Sequence, residues 1–206
     1  MLARVIEVVS NMTLAQFLEA RIFGPLQMRD SGFYVPKDSL GRLAQPFPSD
    51  PATGKLITLI DVSGPPNREP AAESAVSTAS DYVRFSQMLL NGGQLDGVRL
   101  VSRSTVRLMT ADHLGTALTA APAPSELLLR TPGYTFGLGF AVRREAGIAG
   151  VPGSAGEYTW GGFAGTYFWV DPQEQLIGIL MAAAPSPMRV QYRKLFRQLV
   201  YQAIVD

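Results

Sequence analysis

Between Tyr134 and Ala183 the chain carries three runs in which aromatic and β-branched residues dominate: Tyr134 to Arg143, Glu157 to Val170 and Leu176 to Ala183. Asp171-Pro172 starts a tight turn between the last two, so these runs predict an antiparallel meander. A final amphipathic segment then places Leu195, Phe196, Leu199, Val200 and Ala203 on one face, suited to lying across that sheet. The expected fold class is therefore α+β, an antiparallel sheet with flanking helices.

The segments before the meander read as helices and loops. Leu2, Val5, Ile6 and Val9 fall at i, i+3, i+4 and i+7, the apolar face of a helix with no capping residue ahead of it. That predicts a chain beginning inside an element. Thr13 and Gln16 form a capping box before Phe17, Leu18 and Ile22. Gly32 to about Glu73 reads as a long loop with one short strand near Leu56 to Val62, and loops of that length often line a binding site. Thr78 with Asp81 predicts the start of a helix along Tyr82, Phe85, Met88 and Leu89, closed at Asn91-Gly92-Gly93. A hairpin at Asp96-Gly97 leads to Ser102, which caps a helix through Val106 and Met109.

Several chemistries are excluded early. The net charge of +1, with no block of like charge, gives no footprint for nucleic acid or an anionic membrane. The longest apolar run, Leu176 to Ala184, is far below the roughly 20 residues that span a bilayer. No cysteine is present, which removes disulfides, thiolate metal sites and cysteine nucleophiles. A lone histidine, His113, and no clustered carboxylates leave nothing with metal-ligand spacing, and no cofactor is expected. His113 would have to serve any Ser-His-Asp triad. Ser154 comes nearest to a GxSxG elbow, but Pro152 breaks the pattern within a turn-like Gly150 to Gly156. Gly137-Leu138-Gly139 lacks the third glycine of a nucleotide fingerprint and reads as close packing in a strand. Arg193 and Lys194 read as a solvated helix face. Charged residues make up 17% of the chain, low against the roughly 25% of soluble domains, so part of the surface is expected to be covered by something else.

One stretch remains, GEYTWGGFAGTYFWVDP, where Gly161, Gly162 and Gly165 interrupt a β-pattern. Glycine there marks a bulge or a close approach of ligand or backbone. Trp160-Gly161-Gly162 followed by Phe163 resembles the third motif of the serine β-lactamase and penicillin-binding-protein superfamily. It is most similar to the esterase-like branch, which carries Trp-Gly-Gly where β-lactamases have Lys-Thr-Gly. LARVIEVVSNMTLAQFLEARIFGPLQM, VSTASDYVRFSQMLLNGGQLDGVRLVS and YTFGLGF resemble the same branch, so the resemblance covers nearly the whole chain.

The resemblance implies attack by a serine of an SxxK motif on an ester or amide carbonyl, with proton transfer by the lysine and by a tyrosine of a YxN-like motif. Neither motif is present. The lysines Lys37, Lys55 and Lys194 are preceded three positions earlier by Tyr34, Ala52 and Gln191, and no tyrosine has Asn or Ser two positions on. By resemblance, residues 1–206 are expected to be the C-terminal portion of a β-lactamase-related domain, inactive alone, with the nucleophile-bearing part absent.

The same resemblance implies a backbone N–H of Phe163 as one catalytic oxyanion donor, and Tyr158, Trp160, Gly161 and Gly162 as substrate-binding. Trp160 replaces a lysine that holds a substrate carboxylate, which favours neutral esters. Ala72-Glu73-Ser74-Ala75 departs from the branch's glycine-rich turn. The expected partners are a small ester or amide and either the missing segment or another copy, with association expected from exposed apolar faces. The alternatives are a non-catalytic binding module of the same fold and one chain of a nicked enzyme.

Overall fold

The computed structural model describes residues 1–65, 75–115 and 129–205. Helix α1, Leu2–Ser10, starts at Met1 with no side-chain cap, and ends on Asn11 in the left-handed region. Helix α2, Leu14–Leu18, has the capping box: Thr13 Oγ1 accepts from the Gln16 N–H, and Gln16 Oε1 accepts from the Thr13 N–H. It continues into one π-helical turn, Glu19–Phe23.

Helix α3, Ala79–Leu90, begins where Thr78 Oγ1 accepts from the Asp81 N–H. Asp81 also ties the preceding chain to this helix by accepting from the Asp30 N–H and Ser31 Oγ. A two-stranded hairpin, β1 Gln94–Leu95 and β2 Val98–Arg99, turns at Asp96-Gly97, both at positive φ. Helix α4, Arg103–Met109, starts at Ser102, whose Oγ accepts from the Thr105 N–H.

The main sheet has five antiparallel strands in sequential order: β3 Tyr134–Phe136, β4 Ala141–Arg143, β5 Tyr158–Gly161, β6 Tyr167–Asp171 and β7 Leu176–Leu180. Two of the three strand runs expected from sequence are therefore hairpins. Tyr134 to Arg143 folds back at Gly137 to Phe140, with the Gly137 N–H bonded to Phe140 O. Gly137 also lies against Met109 of α4, and a Cβ there would collide with the Met109 carbonyl, so the close packing is real but sits in a turn. The run Glu157 to Val170 folds back between Gly161 and Tyr167. The strand expected near Leu56 to Val62 does not form. That segment makes one isolated bridge, Leu56 to Ser49, and accepts the Val35 N–H at Val62 O. With residues 40–46 it borders an open groove of about 450 Å³.

Helix α5, Arg189–Gln202, completes three layers. One sheet face presents Phe140, Val142, Tyr158, Phe168 and Val170 to Met88 and Leu89 of α3, with Leu26, Met28 and Val106 closing the cluster. The other presents Tyr134, Ala141, Tyr167 and Trp169 to Phe196, Val200 and Tyr201 of α5. The expected apolar stripe of α5 is only half right. Leu195 and Leu199 are exposed, while the fully buried side chains of this helix are Arg193 and Arg197. No described helix is long and apolar enough to cross a membrane.

Candidate active site

The reversal between β5 and β6 is a five-residue loop, 162–166, held by its own backbone. The Gly162 N–H donates to Thr166 O at 2.9 Å, and the Gly165 N–H returns to Gly162 O at 3.2 Å. Two glycines of the loop are closely surrounded. A Cβ on Gly162 would run into Thr166 Oγ1, while Gly165 has φ +113° and would place a Cβ 3.0 Å from Ala184 O. The interruption in the β-pattern is thus a turn rather than a bulge.

This turn leaves backbone open. Strand β4 pairs only with Tyr158 and Thr159 of β5, so Trp160 and Gly161 extend past its last partner residue. Among the described residues, the Phe163 N–H meets no acceptor, and the Phe163 ring is 70% exposed. An unpaired N–H beside open strand edge is the arrangement that accepts an extended substrate and a developing negative oxygen.

Helix α5 grips the turn from behind. Arg193 Nη2 donates to Gly162 O and to Thr166 O, both at 2.8 Å, and its guanidinium lies 5.6 Å from the Tyr167 ring centroid. One turn earlier, Arg189 Nη1 donates to Phe163 O at 2.8 Å while its guanidinium covers the Phe163 ring at 5.5 Å. Burial, and then the neighbouring Arg189 charge, push Arg193 down to about 10, which leaves it a cation at neutral pH. The expectation of a solvated Arg193 is corrected here, since it is 1% exposed. An arginine is stable at such a depth only when carbonyls or carboxylates receive its donors, as here.

One turn further, Arg197 donates to Glu157 and, at 2.6 Å, to Pro152 O. Glu157 also accepts from the Tyr134 hydroxyl, with Arg143 3.7 Å away. Tyr201 donates to Asp171 at 2.7 Å, and Asp171 in turn accepts the Ser154, Gln173 and Glu174 N–H groups. This network anchors the far end of β6 to α5.

The residues expected from sequence to bind substrate take different positions. Gly161 and Gly162 lie in or beside the turn. Trp160 is half-buried, its ring meeting Phe136 edge-on at 5.4 Å. Tyr158 is 2% exposed, its ring against Phe140 at 5.3 Å, and burial raises its phenol above the ordinary range. It stands in the core behind the turn, so substrate contact by Tyr158 does not fit its position. His113 donates from Nε2 to Leu108 O at 2.7 Å, closing the end of α4. Among the described residues no group of three His, Cys, Asp or Glu could hold a metal ion. Ala72 to Ser74, the departure from the glycine-rich turn, lie outside the described residues.

The arrangement is a five-stranded antiparallel sheet between helices, with this turn at the end of its central strand. The Beta-lactamase family profile matches residues 1–202, and the chain belongs to that family. Protein Rv1367c of Mycobacterium tuberculosis is 35% identical over 181 residues, which cover 82% of this chain and 43% of that protein. Lovastatin esterase of Penicillium rubens is 28% identical, covering 97% of this chain and 53% of the esterase. Among solved structures, Simvastatin Synthase (LovD) from Aspergillus terreus superposes with a TM-score of 0.77 at 21% identity, over 99% of this chain and 54% of that one. EstCE1, a hydrolase with promiscuous acyltransferase activity, gives 0.70 at 24%, over 97% and 54%. The chain spans about half the length of the relatives it matches.

Proposed function

We propose that this chain supplies the oxyanion-stabilising wall of a serine acyl-transfer site that cleaves uncharged esters, the attacking hydroxyl coming from a segment outside these residues. The observation that carries this is the Phe163 N–H, without an acceptor among the described residues, on a turn beside open strand edge. Such a donor stabilises the oxygen that gains charge as the tetrahedral intermediate forms. Gly161 adds no side chain on the strand edge that β4 leaves unpaired, and Trp160, where β-lactamases carry lysine, offers an apolar contact in place of a cation. The missing SxxK and YxN-like motifs make residues 1–206 inactive alone. The exposed apolar face of α1, Leu2, Val5 and Val9, is where the nucleophile-bearing segment packs.

The test compares two preparations, the 206-residue chain and the product of the gene's full reading frame. The first is expected neither to hydrolyse p-nitrophenyl butyrate nor to be labelled by a fluorophosphonate. The second is expected to do both, and to turn over the neutral ester faster than the carboxylated β-lactam nitrocefin. Cleavage by the short chain would overturn the division of labour, and faster turnover of nitrocefin would overturn the ester preference. A full-length product that binds esters without cleaving them would favour a non-catalytic binding module.

A further inference from the structure

We infer that Arg193, backed by Arg189, is a positioning residue that aims and strengthens the Phe163 N–H through the carbonyl of the same peptide group. This rests on the oxyanion role proposed above for that amide. Gly162 C=O and Phe163 N–H belong to one planar unit, and the chain has no cis peptide bond among the described residues. In a trans unit the carbonyl and the N–H point in opposite directions. Arg193 Nη2, 2.8 Å from Gly162 O, therefore fixes the N–H on the side away from α5.

The same guanidinium nitrogen reaches Thr166 O at 2.8 Å, so it locks both ends of the turn together. Arg189 Nη1 holds the next carbonyl along, Phe163 O. Two consecutive peptide planes are thus each fixed by a cation. A carbonyl that accepts a charge-assisted hydrogen bond withdraws electron density from its amide nitrogen, and bonds linked this way strengthen one another. The Phe163 N–H is made a better donor without either arginine touching substrate.

Structure alone would not demand this chemistry. The turn already has its own backbone bonds from Gly162 and Gly165, and Gly165 is suited to its φ. A buried cation on the carbonyl side of a peptide whose N–H has no acceptor among the described residues adds direction and polarity.

The experiment uses the product of the full reading frame and two matched substrates, an uncharged aryl ester and its thionoester, whose sulfur is a poor acceptor for N–H groups. The parent protein is expected to prefer the oxygen ester by about 100-fold, the scale of a single oxyanion donor. Arg193→Met is expected to lower kcat for the oxygen ester about 10- to 100-fold, the scale of a misplaced reacting group, with KM within about twofold. Its thionoester kcat should change by less than about threefold, because little N–H stabilisation exists there to lose.

Arg193→Lys keeps a cation but not the fork, and is expected to recover part of the oxygen-ester rate. Arg189→Ala, at a half-buried position, should lower that rate about 3- to 10-fold with the same selectivity signature. It also decides the matter if Arg193→Met does not fold. Equal losses on both substrates, or an unchanged preference in Arg193→Lys and Arg189→Ala, would overturn the positioning role while leaving the Phe163 role standing. A parent protein with no preference for the oxygen ester, or no ester cleavage at all, would overturn both.

Discussion

The two faces of the five-stranded sheet are built from different chemistry and do different work. Toward α3 the interface is almost wholly apolar: Phe140, Phe168 and Val170 meet Met88, Leu89 and Tyr82 with aromatic rings at edge-on angles. Toward α5, Trp169 and Phe196 share the interface with Arg193, Arg197, Glu157 and three tyrosines. The first face holds layers together without direction, because burial of apolar area has none. The second fixes particular carbonyls and carboxylates, because charge-assisted hydrogen bonds are directional. A turn whose peptide planes are to be held in one orientation needs the second kind of support, and the arginines of α5 reach it.

The largest expected effect comes from breaking the charged face. Glu157→Ala leaves Arg197 and Arg143 buried without their carboxylate and should cost about 3–5 kcal/mol, read as a drop in the urea midpoint. Leu89→Ala, on the apolar face, should cost about 2–4 kcal/mol by the same measurement. The contrast sharpens in a double variant. Replacing Glu157 and Arg197 together by Met should destabilise less than Glu157→Ala alone, since no orphaned charge remains on Arg197. Equal or greater loss in the double variant would show that the network contributes net stability.

Smaller effects probe the turn and its surroundings. Gly165→Ala places a Cβ at φ +113° against Ala184 O and should cost about 1–3 kcal/mol of stability. Asp112 accepts from Thr135 Oγ1 first of all, and from the Gly115 and Leu114 N–H groups, with Arg144 3.0 Å away; together they lower its carboxyl to about 2. A lowered folded value means a contribution present above the unfolded carboxyl range near about 3.9 and lost as pH falls through about 2. Asp112→Asn should therefore narrow the stability difference between pH 5 and pH 2 and leave the difference between pH 6 and pH 8 unchanged. An unaltered acid limb would contradict the assignment.

The two faces also differ in how far sequence discloses them. Tyr82, Phe85, Met88 and Leu89 repeat at helical spacing, and Thr78 with Asp81 marks where their helix starts, so the apolar face is legible from periodicity and capping. Asp96-Gly97 and Asp171-Pro172 mark their turns for similarly local reasons. The charged face is not legible in that way. Arg193 and Arg197 look like solvent-facing residues because their acceptors, Gly162 O, Thr166 O and Glu157, come from distant segments that only the fold brings near. The glycines at 137 and 161–165 carry a turn signal, yet the aromatic and β-branched residues around them favour an unbroken strand, and tertiary pairing decides in favour of two hairpins. The Trp160-Gly161-Gly162-Phe163 motif locates the turn, whereas Tyr158 shares its strand but faces the core.

The most direct measurement of the central claim is a crystal structure of the full reading-frame product after reaction with an alkyl fluorophosphonate, whose trapped phosphoryl oxygen occupies the position of the developing oxyanion. A phosphoryl oxygen about 2.7–3.1 Å from the Phe163 nitrogen is the predicted result. A trapped phosphonate whose oxygens lie away from the turn, with the Phe163 N–H bonded elsewhere, would contradict it.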